Sequence, residues 1–125
     1  MTSKHIVVAA HGHCFDGICS AAMFCHLRSR LNDDALRFSY RSCGYGPNMQ
    51  TVRGDENAIV DFRFTPSGKL TWYFDHHPTG FANDRERDRA LEKHPKRYFF
   101  DPSYGSCTKL IADVGKQRFG VDFSD

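Results

Sequence analysis

The chain has 125 residues, of which 40% are hydrophobic, and this length suits a single compact domain over residues 1–125. Its 17 basic and 15 acidic side chains leave a formal net charge of +2, which is too weak a bias to indicate nucleic-acid binding by itself. No apolar run reaches the roughly 18 residues of a membrane span, no signal-peptide pattern is visible, and the five cysteines are scattered, so we expect a cytoplasmic protein without a membrane partner.

The first part of the chain predicts a strand, a helix and a second strand. Ile6–Ala10 is a continuous apolar run with two valines, as in a buried parallel strand. A helix opens at Asp16 and Gly17 and is predicted to end near Leu31. Its predicted buried face consists of Ile18, Ala21, Ala22 and Cys25. Ala35–Arg41 alternates loosely and is compatible with a second strand.

Shorter segments follow. Cys43–Asn48 contains two glycines and a proline, which predicts a loop. Three short apolar runs, Ala58–Val60, Leu70–Phe74 and Tyr98–Phe100, predict three more strands, because aromatic and β-branched residues favour that conformation. Asn83–His94 has alternating charge and predicts either a solvated helix or a mobile loop.

Two further details concern the helices. Asp84 is a candidate cap for the charged segment. A last helix is predicted from a second apolar face, formed by Cys107, Leu110, Ile111 and Val114. Gly120 is placed to end this helix.

Strands that alternate with helices predict an α/β fold with a mostly parallel sheet and helices on both faces.

Side chains capable of binding metal follow three of the predicted strands. In an open α/β sheet ligands bind at the carboxyl ends of the strands, so these residues are expected at one edge. The seven residues are His11, His13, Asp16, Asp61, Asp75, His76 and His77. Imidazole and carboxylate suit a divalent metal, and two metals about 4 Å apart can clamp the attacking and leaving oxygens of a phosphoryl group. The expected chemistry is in-line hydrolysis without a covalent enzyme intermediate.

Single members of this set have simpler explanations. His11 alone would more often be a hydrogen-bonded core or cap residue, and Asp61 alone would more often cap a loop. The adjacent His76 and His77 are harder to explain, because neighbouring strand residues face opposite sides and both reach one site only where the strand has ended. The combination at several strand ends therefore favours a functional site.

Four segments together resemble the DHH family of phosphoesterases. YFDHHPTG resembles the motif that names the family, and VVAAHGHCFDGICSAAMF resembles its first motif. IVDFRF resembles the second motif, whose Asp bridges two metals, and FDPSYGSCTKLI resembles the segment after the triplet. The resemblance extends from about Ile6 to Val114. The family includes RecJ-type exonucleases, phosphodiesterases of small oligonucleotides and cyclic dinucleotides, and family II pyrophosphatases.

The resemblance implies Mn²⁺ as the cofactor and a role for each matched residue. The implied metal ligands are His11, Asp16, Asp61 and His76. Asp61 would bridge two ions, His77 would contact the scissile phosphate, and Asp75 would orient a histidine from behind the site. Ser106 would help to shape the substrate side, and Arg63 is a candidate to meet a phosphate.

Two features depart from the family pattern. The first motif commonly carries two Asp, and here the earlier position is Cys14. His13 or Cys14 could substitute as a ligand, and a thiolate would shift the preference toward zinc or iron. The family's last metal-binding Asp and its smaller second domain would lie beyond Asp125, so we expect a truncated DHH-type domain.

The sequence thus leaves three hypotheses open. The leading one is a metal-dependent phosphoesterase that hydrolyses a phosphodiester or phosphoanhydride, of a nucleotide or short oligonucleotide. The alternative is a non-catalytic metal- or nucleotide-binding module, which the missing acidic ligand and the missing second domain favour. The third is a structural domain that works only as a homo-oligomer, because a truncated domain would expose an apolar surface.

Overall fold

The computed structural model describes residues 3–11, 15–31, 35–43, 54–65 and 69–123. Within these ranges the chain forms an α/β fold of five strands and three helices, which confirms the predicted fold class. The strands are β1 (Lys4–His11), β2 (Leu36–Cys43), β3 (Glu56–Val60), β4 (Trp72–Asp75) and β5 (Tyr98–Phe100). The helices are α1 (Phe15–Ser29), α2 (Asp84–Lys93) and α3 (Cys107–Phe119). The predicted loop Cys43–Asn48 was wrong at Cys43, which is the last residue of β2, and residues 44–48 lie outside the described residues.

The strands form a single sheet in the order β2-β1-β3-β4-β5, and every neighbouring pair is parallel. Strand β2 lies on one side of β1, and β3 lies on the other side, so the direction in which strands are added to the sheet reverses after β2. This reversal makes a topological switch point at the carboxyl ends of β1 and β3, where open α/β sheets bind their ligands. The sheet therefore predicts a site beside the residues that follow these two strands.

Helices cover both faces of the sheet. On one face α1 and α3 pack on β-strand residues that include Phe74, and their buried side chains include Phe24, Leu27 and Ile111. On the other face a second core surrounds Tyr73 and receives Ala90 from α2. The crossovers through α1 and α2 run in opposite directions along the sheet, so two right-handed crossovers must place these helices on opposite faces.

The predicted buried face of α1 was wrong at two of its four residues. Ala21 is buried and Cys25 packs against the core, but Ile18 is 55% exposed and Ala22 is also exposed. The buried residues of α1 are Gly17, Ser20, Ala21, Phe24, Leu27 and Arg28. Both sets have helical spacing, so the periodicity alone could not separate them. Two contacts decide the phase of the helix. Gly17 lies so close to the backbone carbonyl of His11 that a side chain would collide with it, and Ser20 lies against Thr108 of α3.

The ends of α2 and α3 are defined by specific caps. Asn83, and not Asp84 as predicted, caps α2 by accepting the backbone N–H of Glu86 at 2.8 Å. Ser106 caps α3 by accepting the N–H of Lys109. Gly120 ends α3 in the left-handed conformation, as predicted. In the described part of the chain, no helix has the length and apolar character that a membrane crossing requires.

Candidate metal centre

The site is built from residues that come directly after β3 and β4. Asp61 follows the last residue of β3 and has a φ of 54°, a left-handed conformation that is uncommon for residues other than glycine. Its N–H donates to the carbonyl of Phe74 at 2.9 Å, which ties it to β4. Asp75 is the last residue of β4, and His76 and His77 follow it. Because both strands end here, the three side chains of Asp61, His76 and His77 can turn toward one point.

These three residues form a compact group of potential metal ligands. One carboxylate oxygen of Asp61 and one ring nitrogen of each histidine all lie within 4.8 Å of one another. Nε2 of His76 is 3.2 Å from Oδ1 of Asp61, and Nε2 of His77 is 3.9 Å from the same oxygen. Two imidazole nitrogens and a carboxylate oxygen are donors that borderline divalent metals prefer.

The backbone holds the ring of His76 in a ligating orientation. Its Nδ1 lies 3.0 Å from the carbonyl oxygen of Tyr104, which can only accept a hydrogen bond. Nδ1 therefore donates this hydrogen bond, and Nε2 is directed toward Asp61. A histidine that donates through one nitrogen and ligates through the other is the usual arrangement in protein metal sites.

A buried carboxylate holds the ring of His77 in the same way. Nδ1 of His77 donates to Oδ1 of Asp75 at 2.6 Å, while the His77 side chain remains 45% exposed. Asp75 itself is fully buried, and its other oxygen lies 3.2 Å from the hydroxyl of Tyr73. The tyrosine hydroxyl also donates to the carbonyl of Phe62 at 2.8 Å. Asp75 thus orients the His77 ring through this hydrogen bond.

Gly80 closes the pocket around Asp75. A side chain at this position would collide with Oδ2 of Asp75, and it would also lie 3.1 Å from the carbonyl of His77 and 3.2 Å from the Tyr73 hydroxyl. The N–H of Gly80 donates to the carbonyl of His77 at 2.9 Å, so the chain folds back over the dyad of Asp75 and His77. Gly80 lies in the DHHPTG segment, but its role follows from this close approach and not from the motif.

The electrostatics of Asp61 favour a cation. Its side chain is 1% exposed, and burial, followed by the nearby charge of Asp16, raises its pKa to about 6. Burial also raises the pKa of Asp75, although its hydrogen bond with His77 acts in the opposite direction. A buried carboxylate that faces a second carboxylate is costly to ionise, and a bound divalent cation would remove that cost. The residues present therefore fit a metal ion.

Asp16 lies beside this group and caps α3. Its Oδ2 accepts the N–H of Cys107 at 2.8 Å, and its Oδ1 accepts the N–H of Thr108 at 3.1 Å and the Thr108 hydroxyl at 2.7 Å. Burial raises the pKa of Asp16, but these hydrogen bonds outweigh it and the pKa is lowered overall. Oδ2 is also 3.4 Å from Nε2 of His76. Asp16 therefore lies at the same edge of the sheet as His76, and its hydrogen bonds to α3 were not predicted from the sequence.

The other predicted site residues lie outside the three-residue group. The ring of His11 stacks on Phe62, with ring centroids 6.0 Å apart. Arg63 is exposed, and Ser106 uses its hydroxyl as the cap of α3. The predictions for His13 and Cys14 lie outside the described residues. Sequence analysis missed the carbonyl of Tyr104 and the hydroxyl of Tyr73, since nothing in the sequence marks either atom as part of the site.

Comparison of the chain with protein-family models, with curated proteins and with solved structures found no match.

Proposed function

We propose that the chain is a metal-dependent phosphoesterase of the DHH type, which hydrolyses a phosphodiester or phosphoanhydride of a nucleotide or short oligonucleotide. The observation that carries this proposal is the convergence of Asp61, His76 and His77 within 4.8 Å at the carboxyl edge of the sheet. The resemblance to the family's motifs also supports it, because Asp16, Asp61 and His76, which match metal-binding positions of those motifs, lie close together at this edge.

Asp61 and His76 would hold the metal, for which we propose Mn²⁺. The ion would supply charge stabilisation to the phosphoryl group and lower the pKa of a water molecule. The chain contributes the orientation of these ligands. His76 is aligned through Tyr104, and Asp61 is held by the backbone of β4. A fixed donor set of this kind requires little reorganisation when the ion binds.

His77 has two candidate roles that experiment can separate. Its Nε2 lies in the ligand group, but its exposed ring also suits direct contact with a phosphate oxygen, as the resemblance implies. In the second role Asp75 would hold the His77 ring in position, because its carboxylate accepts a hydrogen bond from Nδ1. If His77 is a ligand, His77→Ala weakens metal binding. If it contacts substrate, the same variant binds metal normally and loses turnover.

A non-catalytic metal-binding module is the second candidate. The capping of α3 by Asp16 favours it, because this carboxylate already accepts three hydrogen bonds from Cys107 and Thr108. That leaves a small donor set, which suits one ion better than two. Cys19, Cys25 and Cys107 carry free thiols, which supports a reducing, cytoplasmic environment for either function.

Calorimetric titration of chelator-treated protein with Mn²⁺, Zn²⁺ and Fe²⁺ tests both candidates when it is combined with an assay of bis(p-nitrophenyl) phosphate and pyrophosphate hydrolysis. Metal binding with turnover supports the enzyme, and metal binding without turnover supports the module. His26→Ala is the matched control for His76→Ala, because His26 is exposed on α1 and packs on Phe123. Equal metal binding by the two variants would contradict both candidates.

A further inference from the structure

A cleft with a strong excess of positive charge lies at the end of the sheet opposite to the metal centre. Its volume is about 590 Å³. Its six basic residues are Lys4, Arg28, Arg30, Lys96, Arg97 and Arg118. They come from the start of β1, the C-terminal ends of α1 and α3, and the segment before β5. The only acidic residue among the described lining is Glu56, at the start of β3.

Glu56 anchors two of these cations and has no capacity left for the others. Oε1 accepts from Nε of Arg28 and from the indole N–H of Trp72, both at 2.9 Å. Oε2 accepts from Nη2 of Arg28 at 2.9 Å and from Nζ of Lys4 at 3.3 Å. Four donors saturate the carboxylate. Glu56 therefore holds Arg28 and Lys4 in place and has no acceptor site left for the other cations of the cleft.

Two of the remaining cations are held in place by aromatic rings. The guanidinium carbon of Arg97 lies 4.4 Å from the centroid of the Trp72 ring, and that of Arg118 lies 5.6 Å from the ring of Phe99. Arg118 also donates to the carbonyl of Pro95 at 3.5 Å. Among the described residues, no carboxylate makes an ion pair with Arg97 or Arg118. Restrained guanidinium groups lose less conformational entropy when they bind an anion.

Cations near helix C-termini offset the partial negative charge of the helix ends, but this explains only part of the positive charge in the cleft. The three helices of the described residues all end at this edge, and each C-terminus carries about half a negative charge, or roughly 1.5 charges together. Lys4 and Arg28 are paired with Glu56, so the described lining keeps four other cations, Arg30, Lys96, Arg97 and Arg118, and their charge exceeds the helix contribution. Lys96 and Arg97 also lie outside the helices. The cleft therefore retains a surplus that helix capping does not explain.

From this surplus we propose that the cleft binds a multiply charged, phosphate-bearing anion, at a site separate from the metal centre. Such a ligand would be either a small polyphosphate or the backbone of a single-stranded nucleic acid. Guanidinium groups recognise phosphate oxygens through paired hydrogen bonds, and each phosphate bound releases counterions. The net charge of the chain is only +2, but six of its 17 basic side chains line this one cleft.

Titration of the full chain, in EDTA and without divalent metal, tests the proposal with two probes: sodium tripolyphosphate and a fluorescent deoxythymidine oligonucleotide. The double variant Arg30→Gln/Lys96→Gln removes two exposed cations of the cleft. Arg85→Gln/Arg89→Gln removes the same charge from the exposed face of α2 and is the matched control. We expect the cleft variant to weaken binding about tenfold or more, while the control and His76→Ala remain within about twofold of the wild type.

The two probes identify the source of the phosphate. Tighter binding of tripolyphosphate supports a small polyphosphate, and tighter, more salt-dependent binding of the oligonucleotide supports a nucleic acid. Equal losses in the cleft and control variants would show that only the overall charge matters and would overturn the proposal. Loss of binding in His76→Ala would move the anion to the metal centre and would overturn it as well, as would no binding of either probe.

Discussion

Asp16 caps a helix that begins 91 residues later in the chain: its Oδ2 accepts the N–H of Cys107 at 2.8 Å. Oδ1 of the same carboxylate accepts the next N–H, that of Thr108. The contact joins the first turn of α1 to the first turn of α3 and places a carboxylate 3.4 Å from His76. One side chain thus links the packing of two helices to the edge that carries the candidate metal centre.

Asp16→Ala should therefore destabilise the fold even when no metal is bound. Removing the acceptor leaves two helix N–H groups without a partner, and the loss of such a cap typically costs about 1 to 2 kcal/mol. Asp16→Asn keeps one acceptor oxygen and should lose less. Urea unfolding in EDTA measures both changes. An alanine variant as stable as the wild type would show that the cap does not contribute to folding.

The pH dependence of stability should carry a contribution from Glu56. Burial raises its pKa, but hydrogen bonds from Arg28 and Trp72, together with the charge of Arg28, hold the pKa at about 2 against a reference of 4.5. Because the folded pKa is depressed, the stabilisation is present above about pH 4.5 and is lost as the pH falls toward 2. Its full size is on the order of 3 kcal/mol.

Glu56→Gln should therefore be much less stable than the wild type at pH 7, and the difference should shrink as the pH falls below about 4.5. Glu92→Gln is the control, because Glu92 is exposed on α2. The free energies of unfolding between pH 3 and pH 7 give the comparison. A difference between Glu56→Gln and the wild type that does not change with pH would rule out this explanation.

Gly80→Ala should disturb the support of His77. The new methyl group would collide with Oδ2 of Asp75 and crowd the Tyr73 hydroxyl, and forced overpacking of this kind costs about 1 to 3 kcal/mol. Gly105→Ala is the control, since nothing lies within 4 Å of its added carbon. Thermal unfolding measures the stability of both variants, and the hydrolysis assay measures their activity. Equal stability and equal hydrolysis rates in the two variants would show that the close approach at Gly80 does not contribute to the site.

Much of this architecture could be predicted from local sequence patterns. Short apolar runs such as Ile6–Ala10 lie within strands, and polar residues at the strand ends meet because parallel strands share one carboxyl edge. The full buried face of α1 could not be predicted, because the set that contains Ile18 and the set that contains Phe24 both have helical spacing. Packing against α3 determines which set is buried. Helix α3 lies near the other end of the sequence, so local patterns in α1 do not report this contact.

The residues of the candidate site follow from the sequence more readily than the atoms that position them. Asp61, His76 and His77 could be identified from residue type and position. The carbonyl of Tyr104 could not, because every residue has a carbonyl and only the tertiary fold aims this one at His76. The hydrogen bonds that Arg28 and Trp72 donate to Glu56 could not be predicted from the sequence either, because they join segments that are distant in the chain.

The rate of Mn²⁺-dependent hydrolysis of bis(p-nitrophenyl) phosphate tests the proposed function most directly. The wild type and His26→Ala should turn over this diester, and Asp61→Ala and His76→Ala should lose at least about a hundredfold, because each removes a ligand from the group at the end of β3 and β4. Each variant must show the same far-UV circular dichroism as the wild type. Equal background rates for the wild type and both ligand variants would contradict the assignment of this chain as a metal-dependent phosphoesterase.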